Sequence, residues 1–211
     1  MPKPPNPEYS YVANKAELRE ILGTVNPRAA HKTRTDLHAY HREWMAASTF
    51  VLVSTSDAAG HCDVSPKGDP AGFTHVIDDR TIAIPERPGN RRADGFHNVL
   101  ENGHVGLLYL IPGRGDTLRI NGRAHLLRDA PFFEEMTVKG HRPKLAILIE
   151  IEEIFFHCSK AFLRSDLWKP EKWNPEQVPP RSTIAHAMER SDQTLEEVEA
   201  HYGGDYGKDL Y

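Results

Sequence analysis

Two unusually long strand-like segments restrict the fold of this chain more than any other feature of its sequence. Residues 117–127 alternate apolar and polar side chains, as a strand with one buried face does. Residues 144–156 would span about 43 Å as a continuous strand. Strands of that length usually curl around a barrel or serve two sheets. The alternation keeps its phase through Gly122, so we predict a glycine bulge there and not a hairpin turn.

The remaining elements are shorter and closely spaced. Most connections between strand-like runs are too short for a crossover helix, so antiparallel pairing should dominate. The predicted fold is mainly β with peripheral helices (α+β), arranged as a six- or seven-stranded closed barrel. Helices are predicted over 16–22, 36–47 and after residue 90, and the other strands over 49–55, 61–66, 72–77, 81–84 and 105–111.

Composition excludes several classes of protein. The net charge of -4 and the pI of about 6.3 give no basis for binding nucleic acid or an anionic membrane surface. Residues 1–7 lack the apolar core of a secretion signal and are expected to form an extended arm, and no apolar run is long enough to span a bilayer. Cys62 and Cys158 lie in or next to strand-like segments, where we expect buried packing residues. A soluble, cytoplasmic protein is predicted.

Residues 84–94, I-P-E-R-P-G-N-R-R-A-D, combine several parts of an anion site. A strand ends in a turn, and Asn90 is placed to cap a helix that continues through 96–100. Arg91 and Arg92 would then lie in the first helical turn, where the helix dipole disfavours cations. A phosphate would remove that conflict by accepting hydrogen bonds from both guanidinium groups and from free backbone N–H groups. A pair of solvated surface arginines is the alternative.

A second candidate segment is D-V-S-P-K-G at 63–68. Open backbone groups at such a strand end can read the polar edge of a planar heterocycle. Lys67 could place positive charge near the N1–C2 carbonyl of a flavin, where reduction places negative charge. Its alternative is a solvated loop lysine. Arg119, on the polar face of its strand, could contact a phosphate or form a cross-strand ion pair.

In this order, three segments resemble the FMN-binding proteins of the pyridoxamine 5′-phosphate oxidase-like family. They are D-V-S-P-K-G, I-P-E-R-P-G-N-R-R and D-T-L-R-I-N-G-R-A at 116–124. The resemblance covers roughly 36–168 and is greatest to a subgroup of predicted FMN-dependent enzymes without an assigned substrate. It implies a split β-barrel that forms a homodimer, with FMN in clefts between the subunits.

The resemblance also implies which residues contact the cofactor. The isoalloxazine ring would lie along the segment that begins at Asp63, the ribityl chain beside the end of the following strand, and the phosphate on the arginine pair. Two further residues would approach from the partner subunit. The implied contacts are Asp63, Val64, Ser65 and Lys67 for the ring, Ile84 and Pro85 for the ribityl chain, Arg91 and Arg92 for the phosphate, and Thr117 and Arg119 from the partner.

Three more candidate contacts follow the last long strand. Lys160, Arg164 and Trp168 share one helical face if a helix begins after a capping Ser159. Cations beside an indole could hold a planar flavin or an anionic substrate, whereas an aromatic residue after a helix is often a packing anchor. The predicted organisation is an N-terminal arm and short helix over 1–35, an FMN-binding barrel over 36–168, and a linker and helix over 169–211.

The predicted activity is that of an FMN-dependent oxidoreductase acting on a small organic substrate, with NAD(P)H as a candidate reductant. Authentic pyridoxamine phosphate oxidases end in a segment Arg-Leu-x-Pro, whereas residues 207–211 read G-K-D-L-Y, so vitamin B6 oxidation is not expected. No metal site is predicted, because His38 and His41 share a helix face without a third ligand nearby. The alternatives are a non-catalytic flavin binder or sensor, and the same barrel with a deazaflavin or haem. No residue is singled out as a general base.

Overall fold

The computed structural model describes residues 6–208 and 210–211, and the chain divides into two compact units. The first unit ends at Thr33 and contains two short helices, Lys15–Leu22 (α1) and Pro27–Ala30 (α2). The second unit runs from Arg34 to Tyr211 and carries all the strands of the described residues. Residues 1–5 of the predicted N-terminal arm lie outside the described part of the chain.

The second unit is built on one antiparallel sheet of seven strands in the order β2-β1-β5-β6-β7-β4-β3. Peripheral helices and three short 3-10 turns accompany the sheet. The strands are Phe50–Ser56 (β1), Cys62–Gly68 (β2), His75–Val76 (β3), Thr81–Pro85 (β4), His104–Leu110 (β5), Thr117–Leu127 (β6) and Ala146–His157 (β7). The helices are Ala39–Ala47 (α3), Asp94–Glu101 (α4), Lys160–Ser165 (α5), Arg181–Met188 (α6) and Leu195–His201 (α7), with 3-10 turns at Pro131–Met136, Pro170–Lys172 and Pro175–Gln177.

The sheet curls until β2 approaches the end of β4. Lys67 in β2 forms an ion pair with Glu86, the residue directly after β4. Asp69, directly after β2, pairs with Arg87 at 2.6 Å between Oδ2 and Nε. In the described part of the chain, β2 and β3 are the edge strands of the sheet, so side chains and not backbone hydrogen bonds bridge the gap. The result is a split barrel with peripheral helices, which confirms the predicted fold class, whereas the closure of the barrel expected from the strand lengths is wrong because no backbone ladder joins β2 to β4 among the described residues.

The two long strands pair with each other and contain the predicted bulge. The register of β6 against β7 shifts between Asn121 and Gly122. A Cβ added at Gly122 would lie 2.0 Å from the backbone oxygen of Glu150 in β7. A side chain cannot fit there, so glycine lets the strand bend without breaking the alternation. The last strand begins at Ala146, two residues later than predicted.

Apolar side chains from the inner faces of the strands fill the barrel. Tyr109 is fully buried among them, and its hydroxyl lies 3.0 Å from the hydroxyl oxygen of Thr74, so the polar end of the ring has a partner. Helix α3 covers one end of the barrel with Trp44 and Met45. Other fully buried members of the core are Val51, Ile82, Ile84, Leu118, Ile120, Ile149 and Ile154.

The start of α3 explains the histidine pair that the sequence analysis discounted as a metal site. His38 Nδ1 accepts a hydrogen bond from the N–H of Tyr40 at 3.2 Å, and the N–H of His38 donates to His41 Nδ1 at 3.1 Å. The two imidazoles therefore act as a helix cap, and α3 begins at Ala39. No group of three potential metal ligands occurs among the residues that the structure describes.

One expectation about packing and one about secondary structure are wrong. Cys62 and Cys158 are both exposed, and neither belongs to the core. Cys62 lies on an edge strand, so its strand-like surroundings do not imply burial. In the C-terminal region α7 is confirmed, but the predicted linker contains α6, whose buried Ala185 and Ser182 the proline-rich sequence did not reveal. No helix in the described part of the chain is long and apolar enough to cross a membrane.

Candidate functional site

A cleft of about 490 Å³ occupies the gap in the barrel. One wall is β2, the opposite wall is the loop that follows β4, and the first turn of α4 closes one end. The structure brings seven of the thirteen predicted cofactor residues together here. The seven are Asp63, Val64, Ser65, Lys67, Pro85, Arg91 and Arg92.

The arginine pair lies in the loop before α4 and not in its first turn. The predicted cap by Asn90 is wrong, because its Oδ1 accepts a hydrogen bond from the N–H of Arg92 at 3.0 Å inside the loop. Arg91 and Ala93 have φ angles of 60° and 61°, in the left-handed region. A helix cannot continue through that conformation, so α4 begins at Asp94 with no side-chain cap.

Two guanidinium groups lie at this end of the cleft, and one of them has no partner in the described part of the chain. Arg91 is exposed and forms no hydrogen bond or ion pair among the described residues. Arg92 Nε donates to Asp94 Oδ2 at 2.7 Å, an exposed pair that water screens strongly. The first N–H groups of any helix have no intrahelical acceptor, and α4 offers no capping side chain to satisfy them. An anion placed here would meet a free guanidinium group, a second one and the helix N-terminus together.

A buried amide fastens α4 to the wall formed by β2. Asn98 Nδ2 donates to Asp63 Oδ2 at 2.8 Å and to Thr55 Oγ1 at 3.1 Å. Gly95 lets the helix approach closely, because a Cβ there would lie 3.3 Å from Thr55 Oγ1 and 3.5 Å from Ser65 Oγ. Sequence reasoning missed Asn98 and Gly95. The sequence signal that could have revealed Asn98 is its position beside the apolar face of α4, where a polar side chain needs a buried partner.

The middle of the cleft contains the ion pair between Lys67 and Glu86, which spans the two walls. The Lys67 side chain is 15% exposed and the Glu86 side chain 31%, so the pair is partly shielded from water. The Lys67 ammonium also lies 5.1 Å from the ring centroid of Phe96 in α4. The alternative of a solvated loop lysine therefore does not describe Lys67. Glu86 belongs to the predicted anion motif, but sequence reasoning gave it no role.

The far end of the cleft is closed by a buried ion pair. Arg87 and Asp69 have side chains only 13% and 2% exposed. Arg87 Nη2 also donates to the backbone oxygen of Met136 at 2.7 Å. The hydroxyl of Tyr211 donates to Asp69 Oδ1 at 2.6 Å, and this hydrogen bond to the carboxylate raises the pKa of Tyr211. The cluster Asp69, Arg87 and Tyr211, here called the clamp, joins β2 to the loop after β4.

Three predicted residues of the barrel lie outside the cleft. Ile84 is fully buried in the core, although its neighbour Pro85 lines the cleft. Thr117 is buried at the start of β6. Arg119 lies on the outer face of the sheet, where its Nε donates to Asn121 Oδ1 at 3.2 Å and its Nη2 is 3.9 Å from Glu153. The cross-strand ion pair named as the alternative for Arg119 is thus present at long range.

The C-terminal candidates also lie away from the cleft of the same chain. Helix α5 ends at Ser165, because Asp166 adopts a left-handed conformation with φ of 51°, so Trp168 does not continue the helical face of Lys160 and Arg164. Trp168 Nε1 donates to the backbone oxygen of Arg114 at 2.7 Å, and its ring stacks on Phe162. These contacts fit the packing alternative. Ser159 makes no capping hydrogen bond.

The split barrel with a cleft at its gap defines a class of protein, and a family model agrees with it. The model of the pyridoxamine 5′-phosphate oxidase family matches residues 37–158, more than half of the chain. The chain therefore belongs to the pyridoxamine 5′-phosphate oxidase family. No curated protein matches the chain.

Several solved structures are similar to this chain. HupZ of Group A Streptococcus is 20% identical, and the match covers 57% of this chain and 93% of that one with a TM-score of 0.46. General Stress Protein 26 of Bacillus anthracis strain Sterne is 13% identical over 54% and 88% of the two chains, with a TM-score of 0.42. PhzG of Burkholderia lata 383, in complex with tetrahydrophenazine-1-carboxylic acid, is 13% identical over 64% and 85%, with a TM-score of 0.41.

Proposed function

We propose that this protein binds FMN in the cleft and acts as an FMN-dependent oxidoreductase on a small organic substrate. The observation that carries the proposal is the end of the cleft where, among the residues that the structure describes, Arg91 has no hydrogen-bond or ion-pair partner and no side chain caps α4. Membership of the pyridoxamine 5′-phosphate oxidase family supports a flavin as the ligand. The cleft volume of about 490 Å³ lies in the range that small-molecule and cofactor sites occupy.

The phosphate of FMN would bind at the arginine end. Arg91 and Arg92 provide two planar donor groups, and the N-terminus of α4 provides backbone N–H groups. A phosphate matches this set because guanidinium forks and helix N-termini both favour an anion with several acceptor oxygens. The left-handed φ of Arg91 costs free energy that a bound ligand can offset.

The flavin ring would extend along β2 toward Lys67. Asp63 and Lys67 are about 13 Å apart along the strand, given a rise of about 3.3 Å per residue. This direction leads away from the arginine pair and into the middle of the cleft. On the side that does not pair with β1, the edge strand β2 offers backbone N–H and C=O groups that could bind the polar edge of the ring. Val64 and Ser65 would lie beside it, and Pro85 would flank the ribityl chain.

A second copy of the chain would complete the site as a homodimer. The outer face of the sheet carries a continuous cross-strand row of side chains on five neighbouring strands. Arg119 lies within that row, so a partner seated on this face would meet it, whereas Thr117 at the start of β6 is buried within its own subunit. The row consists of Pro66, Leu52, Leu108, Arg119 and Phe155. In the same dimer, Lys160, Arg164 and Trp168 are candidate contacts with the cofactor of the partner subunit.

The side chains of the cleft suit a flavin better than haem. Haem iron requires an axial His, Cys, Met or Tyr. None of the described residues that line the cleft is of these types. A deazaflavin also carries a phosphate and would use the same arginine end, so an absorption spectrum must separate it from FMN.

The first experiment is an absorption spectrum of the purified protein followed by titration with FMN. Bound FMN gives absorption bands at about 370 nm and about 450 nm. The Arg91→Ala/Arg92→Ala double variant should bind FMN on the order of 100-fold more weakly, because two charge-assisted hydrogen-bonding groups are lost. The matched control is Arg142→Ala/Arg181→Ala, which removes two exposed arginines outside the cleft and should bind as the wild type does.

Two outcomes would contradict this proposal in different ways. A colourless protein that does not bind FMN would overturn the cofactor assignment. A protein that binds FMN tightly, but whose flavin is not reduced by NAD(P)H or any candidate substrate, would favour the non-catalytic binder or sensor. A monodisperse monomer with full FMN affinity would exclude the homodimer as a requirement of the site.

A further inference from the structure

The ion pair in the middle of the cleft connects a cation and a carboxylate across the proposed flavin site. Lys67 belongs to β2 and Glu86 to the opposite wall, and Phe96 in α4 lies beneath the ammonium group. Both ionic side chains line the cleft and are partly shielded from water. Charges in such a place act on a ligand more strongly than they would in bulk water.

Reduction of a flavin changes the charge that these residues face. A hydride donor transfers two electrons and one proton to the oxidised ring, which thereby gains one negative charge, while the donor is oxidised. A cation beside the ring favours the reduced form, and a carboxylate bound to that cation opposes the effect. The field at the ring therefore depends on the pair Lys67 and Glu86 and not on Lys67 alone.

We propose that Glu86 lowers the reduction potential of the flavin, because its carboxylate offsets part of the positive field of Lys67 at the ring. Glu86 holds the ammonium group across the cleft against Phe96 and neutralises part of its charge. The flavin is consequently harder to reduce than it would be beside a free lysine. This inference rests on the proposed binding of FMN in the cleft.

The test is the midpoint potential of bound FMN, measured by reduction with dithionite in equilibrium with a reference dye. Glu86→Gln leaves Lys67 without its carboxylate and should raise the equilibrium constant for reduction about tenfold, a shift of about 30 mV for a two-electron couple. Lys67→Gln should lower the constant by a similar factor. Glu86→Asp keeps the charge and should remain close to the wild type. The Lys67→Gln/Glu86→Gln double variant, which removes both charges, should also lie near the wild type.

A matched control shows whether the potential depends on the position of the carboxylate in the cleft or only on the net charge of the protein. Glu189→Gln also removes one carboxylate that is paired with a cation, Arg181, but lies outside the cleft, so the potential should not change. A Glu86→Gln variant with bound FMN and the wild-type potential would overturn the inference. Should that variant fail to fold or to bind FMN, equal potentials in Lys67→Gln and in the double variant would overturn it instead.

The failure of this inference is distinguishable from the failure of the proposed function. Unchanged potentials in variants that bind FMN would remove the role of Glu86 and leave the FMN site intact. A wild-type protein that does not bind FMN would overturn both. A Glu86→Gln variant whose potential shifts by the same amount as that of Glu86→Asp would show a purely structural role for Glu86, because Asp retains the charge.

Discussion

One loop places arginines at both ends of the cleft, and the two ends differ in almost every physical respect. Arg87 is nearly buried, pairs with a buried carboxylate and also donates to a backbone oxygen. Four residues later, Arg91 is exposed, has no partner among the described residues and holds a left-handed backbone conformation. The first arginine completes the fold, whereas the second one costs stability and remains available.

This contrast shows that residue type and neighbourhood in sequence do not separate a structural arginine from a binding one. Both belong to the same motif of residues 84–94. The difference lies in what the rest of the chain brings to each guanidinium group. At Arg87, Asp69 and Tyr211 arrive from distant parts of the sequence. Arg91 has no hydrogen-bond or ion-pair partner in the described chain, and such a guanidinium group is suited to binding an external anion.

The largest expected effect is that of breaking the clamp. Arg87→Ala leaves the carboxylate of Asp69 buried without its cation, and we expect a loss of about 3–5 kcal/mol in the free energy of unfolding. Urea denaturation measures this. Arg142→Ala, which breaks exposed ion pairs with Asp129 and Glu134, serves as the control and should change stability little. A small effect of Arg87→Ala on stability would mean that Arg87 is not a structural residue and does not differ from Arg91 in its role.

A milder change in the clamp tests the contribution of Tyr211. Tyr211→Phe removes the hydrogen bond to Asp69 but keeps the ring beside Arg87, and should lower the free energy of unfolding by about 1 kcal/mol. Denaturation of Tyr206→Phe, whose hydroxyl makes no hydrogen bond in the described chain, gives the control. Equal stability of Tyr211→Phe and the wild type would show that the clamp consists of Arg87 and Asp69 alone.

At the other end of the loop the expected effects on stability and binding have opposite signs. Arg91→Gly relieves the left-handed conformation and should raise the free energy of unfolding by up to about 1 kcal/mol. The same change should weaken FMN binding about tenfold, because one charge-assisted donor is lost. Thermal denaturation and FMN titration measure the two effects separately.

Ala93→Gly provides a matched control for Arg91→Gly. Ala93 has nearly the same φ angle but carries no charge. The Ala93→Gly variant should therefore be stabilised in the same way as Arg91→Gly, but should bind FMN as tightly as the wild type does. A stability loss in both variants would contradict the assignment of strain to this loop.

The smallest expected effect is a pH dependence that arises away from both ends of the loop. Burial is the main reason that the pKa of His41 lies below its ordinary value, with nearby His38 and Arg34 adding to the shift. The unfolded chain therefore binds more protons at this site than the folded chain does. Its contribution to stability is fully present above about pH 6.5 and is lost as the pH falls below that value toward the lowered pKa.

The pH effect is measured as the free energy of unfolding between about pH 5 and about pH 8. His41→Gln should flatten this part of the dependence, whereas Arg91→Gly should leave it unchanged. A wild-type dependence that persists in His41→Gln would assign it to another group.

Local sequence patterns predicted much of the barrel. The alternation of apolar and polar side chains predicted the long strand β6. Because that alternation continues in phase through Gly122, it also predicted the bulge there, where the steric constraint is local. Short connections gave antiparallel pairing. The positions of the candidate contacts Lys67, Arg91 and Arg92 also followed from the segments in which they occur.

The errors have a common physical cause. Asn90 has the right side chain for a helix cap, but the left-handed residues after it delay the helix by several positions. Cys62 lies in a strand, yet the strand is an edge and leaves the side chain exposed. Helix α6 lies in a segment that was predicted to be a linker. It buries Ala185 and packs against α7, and the proline-rich sequence did not reveal this packing. In each case the deciding factor is a backbone conformation or a packing partner that residue type alone does not reveal.

The sequence by itself therefore determined the strands, their mainly antiparallel order and the segments that carry the candidate site. Backbone geometry and the alternation of side chains act over a few residues, and one chain displays them directly. Only the tertiary structure decided that Arg87 belongs to the clamp, that Glu86 crosses the cleft to Lys67 and that Arg91 has no partner in the described chain. Those properties depend on burial and on charges that meet only after the sheet has curled, because the interaction of two charges depends on their distance and surroundings.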